Sequence, residues 1–527
     1  MRVSASLGLV VLLASLTGCE QRNFDRCLPG NPDFACELGK FCKLIPGDPN
    51  GVGMCVTSEC TVGAAVNTCP AEAPVCSAGH CIACSNDDDC KASSAGQPFC
   101  LKDTGRCVEC RTPADCTVGS AKPACDKSDG QCKPCTRHDQ CSTQVCVKDE
   151  TLNVSSIPAP MRLKTGDCVP TKAILNVDVN CTSCGNLQTQ INAASIDAPY
   201  ILVKNYDEKT PINVTAKPNL PELHIVTSTA DSSPALLSQA PPATMHYQNM
   251  ATPLLTVHGG ASLTLEGMLI YNSSTAILCD SDNGAGATVP TGLTIRRSII
   301  GLTDQAIRTR PKCQLTLDQS YIGMGPASFG SFTGGNFLAM NLDGTSFEII
   351  NSVFNHNVGM VNTAFAGISV SNSTAITGLT GRIVNSTFYR HEPKYPGTGV
   401  PLPLAIQCSG AAINLTVFNT LFVNTSGFPM AGRSYIGSSC LSSGTVDYIA
   451  TDESLPIAGA GPNLIAATES VLTAPQGGDV SLVKSAPSGV VTGGTKTLNG
   501  VAAPQVDIRG ATRGATKVSI GAFEVAP

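Results

Sequence analysis

The placement of the cysteines limits this chain more than any other feature. Of 27 cysteines, 23 precede residue 185, and the remaining four are Cys279, Cys313, Cys408 and Cys440. A single pattern recurs within the crowded region. CIACSNDDDC (81–90), CVECRTPADC (107–116) and CKPCTRHDQC (132–141) are each C-x2-C-x5-C, with starts 26 and 25 residues apart. An internal repeat of this length marks a string of small units. Framed between the doublets, the cysteines fall into groups of four: Cys84, Cys90, Cys100, Cys107; then Cys110, Cys116, Cys125, Cys132; then Cys135, Cys141, Cys146, Cys168. Upstream, Cys60, Cys69, Cys76, Cys81 and Cys27, Cys36, Cys42, Cys55 form looser versions.

Disulfides, structural zinc and calcium are the three chemistries open to such doublets. A unit of about 25 residues with few large apolar side chains cannot stabilise itself by a core and needs staples. The C-x2-C spacing also suits zinc, but His80 and His138 show no ligand spacing. Asp87, Asp88 and Asp89 reduce to Asp115 in the second copy and Asp139 in the third, so the fixed oxygen offsets of a calcium loop are not kept, and a solvated turn is expected.

The N-terminus favours disulfides. Arg2 precedes an apolar run, Leu7 to Leu16, which is too short to span a bilayer and is shaped like a secretory signal. Its end, Leu16-Thr17-Gly18-Cys19, resembles the bacterial lipoprotein signal box. That resemblance implies cleavage after residue 18, a diacylglycerol on Cys19, and a bacterial envelope location at the outer membrane or cell surface, anchored without spanning. An oxidising compartment pairs close cysteines, and with Cys19 lipidated an even 26 remain. The repeats resemble in spacing the Dickkopf N-terminal and tumour-necrosis-factor-receptor-like modules of extracellular proteins. The pairing within each group stays open.

Beyond residue 185 a different period takes over. LTLEGMLIY (from Leu263), LTIRRSIIG (Leu293), LTLDQSYIG (Leu315), FEIINSVFN (Phe347), GRIVNSTFY (Gly381) and LTVFNTLFV (Leu415) align as one motif, with starts 30, 22, 32, 34 and 34 residues apart. Leu265, Ile295, Leu317, Ile349, Ile383 and Val417 share one column, and Ile270, Ile300, Ile322, Phe354, Phe388 and Phe422 another. Polar and apolar positions alternate between them, as in short strands with one buried face. Asn351, Asn385 and Asn419 share a slot, which Gly267, Arg297 and Gln319 fill in earlier copies. Stacked asparagines can pass amide hydrogen bonds along a parallel stack. An antiparallel sandwich is the alternative, disfavoured by spacings above 30 residues.

These columns resemble the right-handed parallel β-helix superfamily of pectate lyases and many bacterial surface proteins. LQTQINAAS (187–195) resembles that family's capping helix, and PYILVKNYDEKTPINV and KPNLPELHIV its first coils. VDIRGATRGATKVSIGAFEVAP (506–527) resembles the D-x-x-G-x-x-R…IGA-[FY]-E ending of bacterial β-helix lipoproteins and choice-of-anchor proteins. On a coil model Cys279 with Cys313, and Cys408 with Cys440, lie within bridging distance one coil apart. The expected layout is a signal (1–18), a lipidated tether (19–26), disulfide repeats (27–170), a junction (171–186) holding Cys181 and Cys184, and an all-β right-handed parallel β-helix (187–527).

Function is less legible. The net charge of −6 with 14% charged residues gives no field for nucleic acid. Asp280 and Asp282, with Arg308, Arg310 and Lys312 in the next coil, are the catalytic candidates: carboxylates hold calcium against a uronate and an arginine abstracts the acidic proton. Against this, the polygalacturonase and pectin-methylesterase elements are missing, and a chain without tryptophan lacks the pectate-lyase W-I-D-H element. Hydrolase elbows, zinc-protease helices and nucleotide loops are absent too. The expectation is a lipid-anchored surface protein without catalysis or cofactor, binding a polysaccharide or surface protein. The alternative is a carbohydrate-active lyase or hydrolase, with calcium as its cofactor.

Overall fold

The computed structural model describes residues 26–28, 40–44, 50, 52–57, 60, 69, 73–77, 80–93, 96–148, 163–181, 183–228, 231, 243–246, 252–282, 289–323, 338–355, 367–389, 405–410, 413–423, 435–440, 444–452, 461, 463–474 and 479–525. Cys19 and the leader lie outside them. Two compact units result: Met1–Arg111 with Lys127–Gln131, and Thr112–Asp126 with Cys132–Pro527.

In the first unit, short antiparallel hairpins are stapled in an alternating order. Cys60 pairs with Cys76 and Cys69 with Cys81; Cys84 pairs with Cys100 and Cys90 with Cys107. First joins third and second joins fourth. The aspartates of the Cys81–Cys90 stretch are not a solvated turn. They open a helix, Asp87–Ser93. Asp89 accepts the Ser85 and Asn86 N–H groups at 2.8 and 3.1 Å, and Asp87 accepts the Cys100 N–H at 3.0 Å. The residue before the following cysteine keeps that capping role in each copy: Asp115 accepts from Thr112 N–H at 2.7 Å, and Gln140 from Thr136 N–H at 2.8 Å.

The second unit is mostly a parallel β-helix of three sheets. The first sheet stacks ten strands in parallel, from Ile174–Asp178 to Thr445–Asp447. One inward column reads Leu175, Ile201, Ile225, Leu265, Ile295, Leu317, Ile349, Ile383, Val417, Val446, one residue per strand. In the second sheet Ile270, Ile300, Ile322, Phe354, Phe388 and Phe422 are in register, and the three phenylalanines stack at centroid distances of 4.5 and 5.0 Å. The third sheet contributes Ile212, Leu255, Ile277, Ile307, Met340, Ile368 and Ile406. Gly381 breaks the leucine column because a Cβ there would stand 2.6 Å from Phe347 Cζ. The parallel stack begins at Ile174, inside the stretch expected to be a junction. Along the chain the helix Leu187–Ala193 falls in the connection between the first two strands, which pair directly with each other, and Leu187 and Ile191 are buried in the core. Cys279–Cys313 and Cys408–Cys440 are disulfides within the stack.

The asparagine column does not run as a continuous ladder. Arg297, Gln319, Asn351, Asn385 and Asn419 all have φ between 47° and 51°, the left-handed geometry that the tight corner between the first and second sheets requires and that asparagine tolerates best. Among the described residues, side chains of this column meet across coils at two places, Asn419 Nδ2 to Asn385 Oδ1 at 3.2 Å and Arg297 Nε to Gln319 Oε1 at 3.0 Å. The hydrogen bonds along the stack come instead from the next residue: Ser298, Ser320, Ser352 and Ser386 each accept a backbone N–H from the coil before, at 3.2 to 3.3 Å.

The asparagines turn outward to the C-terminal segment. Asn351, Asn385 and Asn419 donate to the carbonyls of Val506, Ser519 and Thr495 at 2.8, 3.0 and 2.6 Å. That segment closes on itself as well: Asp507 accepts the Arg509, Ala511 and Glu524 N–H groups, and buried Arg513 pairs with Glu524 at 2.9 Å and donates to Asn351 Oδ1 at 2.8 Å. Ile508, Ile520 and Phe523 cover the outward side of the second sheet, against Leu269, Ile299, Tyr321, Val353, Tyr389 and Leu421. The short strands of that sheet are therefore buried on both faces.

Candidate functional site

The last cysteine module belongs to the β-helix unit, and its attachment assembles a buried charge cluster. Val145, Val147 and Val169 pack on Tyr200, Leu202 and Val226, on the outward side of the first coils. His138 occupies the repeat position that holds Asp87 in the earlier copy and does the same work, its Nδ1 accepting the Cys146 N–H at 2.9 Å. With Nδ1 accepting, the neutral ring carries its proton on Nε2. That atom lies 3.1 Å from Glu266 Oε2, close but out of hydrogen-bond alignment.

Lys148 sits between two carboxylates, 2.6 Å from Glu266 Oε1 and 3.1 Å from Asp231 Oδ1. Arg297 reaches Asp231 Oδ1 at 2.7 Å and Gln319 at 3.0 Å. Burial works against the charge on Glu266 and Asp231, but Lys148 foremost, with Arg297, outweighs it; Glu266 is held well below the ordinary glutamate range and Asp231 is also lowered. His138, Asp231 and Glu266 bring ligand atoms within 4.8 Å of one another. The two carboxylates are already neutralised by Lys148 and Arg297, so a divalent ion would have to displace the lysine. The adjoining cleft, bounded by His138, Tyr200, His224 and Thr264 among others, has room for a water molecule but not a sugar ring. The cluster fastens the module; it does not offer a substrate site. His138 and Arg297 come into one cluster only in the fold, because residues 159 positions apart leave no spacing signal.

Of the catalytic candidates, Asp280 and Arg308 lie on strands of the third sheet, and Asp282 and Arg310 just past the strand ends at Asp280 and Thr309. Arg308 is exposed and faces outward in a lane that runs Thr256, Leu278, Arg308, Asn341, Ser369, Gln407. A neighbouring lane holds His258 and Asp280, then Arg310, and further along Asp343, Ser371 and Ser409. Asp280 is closed by partners: Arg310 Nη1 stands 3.1 Å from Oδ2, and the Asp282 N–H donates to Oδ1 at 3.1 Å. A calcium ion would have to displace the Arg310 guanidinium. Asp343 accepts from Ser371 Oγ at 3.0 Å and from Ser373 N–H at 2.8 Å, and although burial opposes it, these bonds, those of Ser373 first, hold its carboxyl below the ordinary aspartate value.

The sulfurs of Cys84, Cys90 and Cys107 also lie within 4.8 Å of one another. They are bound in disulfides, which leaves no thiolate for zinc.

Comparisons with known proteins add little chemistry. A family of unknown function, DUF8331, matches residues 46–157, across the cysteine repeats. No curated protein matches the chain. Among solved structures a crystal structure of pectate lyase Pel9A matches at 13% identity and a TM-score of 0.35, covering 68% of this chain and 97% of that one. At that similarity the match carries no argument for an activity. The parallel β-helix rests on the strand register itself. Among the described residues no helix is long and apolar enough to cross a membrane.

Proposed function

We propose that this chain is a lipid-anchored protein of the bacterial cell surface that binds an extended, hydroxyl-rich polymer, a glycan in the first place, and does not cleave it. The supporting observation is the arrangement of the outward lanes of the third sheet. Arg308, Asn341, Ser369 and Gln407 recur once per coil, about 4.8 Å apart. Hydrogen-bonding side chains repeated at a fixed interval along a rigid face suit a repeating ligand. The outward lane of the first sheet is less varied, with Thr264, Thr294 and Thr316 in succession.

Non-catalysis is supported by the closure of the carboxylates. Asp280 is salt-bridged to Arg310 and Asp343 is saturated by serine and backbone donors. Neither is poised as a base. Anchoring rests on the Leu16–Cys19 box, and Cys19→Ala should release the protein from the membrane fraction. The decisive experiment screens the purified chain against glycans, uronate polymers with calcium included, for binding and cleavage together. Binding that weakens about tenfold or more in Arg308→Ala with Asn341→Ala, without cleavage, is the expected result. Cleavage abolished by Asp280→Ala or Arg310→Ala would establish the lyase reading instead.

A further inference from the structure

Cys181 and Cys184 form a disulfide across two intervening residues. A loop this short hardly restricts the unfolded chain, so stabilisation does not account for the bond. Its setting differs from that of the other bridges in the coils. Cys279, Cys313, Cys408 and Cys440 are 0%, 1%, 9% and 0% exposed, whereas Cys181 and Cys184 are both partly exposed and Ser183 between them is exposed. The pair lies between the strand Ile174–Asp178 and the helix Leu187–Ala193, whose following strand, Tyr200–Lys204, is parallel to the first. The two sulfurs are also unlike. Cys181 Sγ accepts the Cys184 N–H at 3.1 Å and stands 3.5 Å from the Ser183 hydroxyl, which must be the donor because the bonded sulfur has no proton.

Donors aimed at one sulfur stabilise negative charge there, which makes Cys181 the better leaving thiolate and, once reduced, the more acidic thiol. From this geometry we infer that Cys181 and Cys184 are a thiol–disulfide exchange site that accepts two electrons from a dithiol peptide. One thiolate of the peptide attacks Cys184 Sγ, and the Cys181–Cys184 bond breaks with Cys181 leaving as the thiolate held by the Cys184 N–H and the Ser183 hydroxyl. The peptide's second thiolate then attacks the peptide sulfur of the mixed disulfide, and Cys184 leaves. The peptide gives up two electrons and two protons and becomes a disulfide; the Cys181–Cys184 pair takes them and becomes a dithiol.

The test uses the whole purified protein, treated with graded dithiothreitol, trapped with limiting iodoacetamide and read cysteine by cysteine by mass spectrometry. Cys181 and Cys184 are expected to open at dithiothreitol concentrations about tenfold or more below those that open Cys279–Cys313 and Cys408–Cys440, with Cys181 labelled several-fold ahead of Cys184. The oxidised protein should also convert a model dithiol peptide to its disulfide, one per chain, and Cys184→Ser should abolish this while leaving the far-ultraviolet circular dichroism unchanged. Opening only together with the buried bridges, preferential labelling of Cys184, or a dithiol peptide left reduced would each overturn the inference.

Discussion

Single residues in this chain are explained by what faces them across many positions. Lys148 is the cation between two buried carboxylates, and truncating it leaves Glu266 and Asp231 underneutralised where water cannot compensate. Lys148→Ala is expected to cost about 3–5 kcal/mol, measured by denaturant unfolding. Gly381 shows the opposite constraint. Its neighbour Phe347 fills the space a side chain would need, and Gly381→Ala should cost about 1–3 kcal/mol through forced repacking. Neither role is visible locally in the sequence. Gly381 stands out as an exception to a leucine column, but the reason lies on the coil before it; Asp89 looks like part of a charged turn because a helix cap cannot be told from a loop without its N–H partners.

At the level of elements, the repeating corner organises the second unit. The left-handed turn between the first and second sheets needs residues that tolerate positive φ, and in the later coils it uses asparagine, whose amide remains free to bind something else. What it binds is the C-terminal segment. The Asp507…Arg513…Glu524 knot holds that segment together, and Arg513 ties it to Asn351. Arg513→Ala should leave Glu524 without its counter-charge and Asn351 Oδ1 without its guanidinium donor, and cost about 3–5 kcal/mol. Limited proteolysis would then cut first within residues 495–525, while the wild-type segment resists. The inward columns of the coils were legible from sequence because their period is strict. The double burial of the second sheet was not, because its outward Leu269, Ile299 and Val353 are covered by residues more than 150 positions away.

For the β-helix unit as a whole, the buried carboxylates set the response to acid. Glu266 and Asp231 have folded-state values below their ordinary ones of 4.5 and 3.8, so their contribution to stability is complete above those values and disappears as pH falls through the lowered ones. Thermal unfolding followed from pH 7 to pH 2 should show the melting temperature flat down to about pH 4.5 and falling below it; Glu266→Gln should flatten the acid limb. The sequence by itself determined the four-cysteine grouping and the strand columns, because each of these is a period, and periodicity survives without coordinates. Tertiary structure alone decided how the cysteines pair within each repeat, where the coil begins, and that the last module and the C-terminal segment fasten onto the turns and outer faces of the coils. Those outcomes depend on contacts between residues far apart in the chain, where no spacing rule records which surfaces meet.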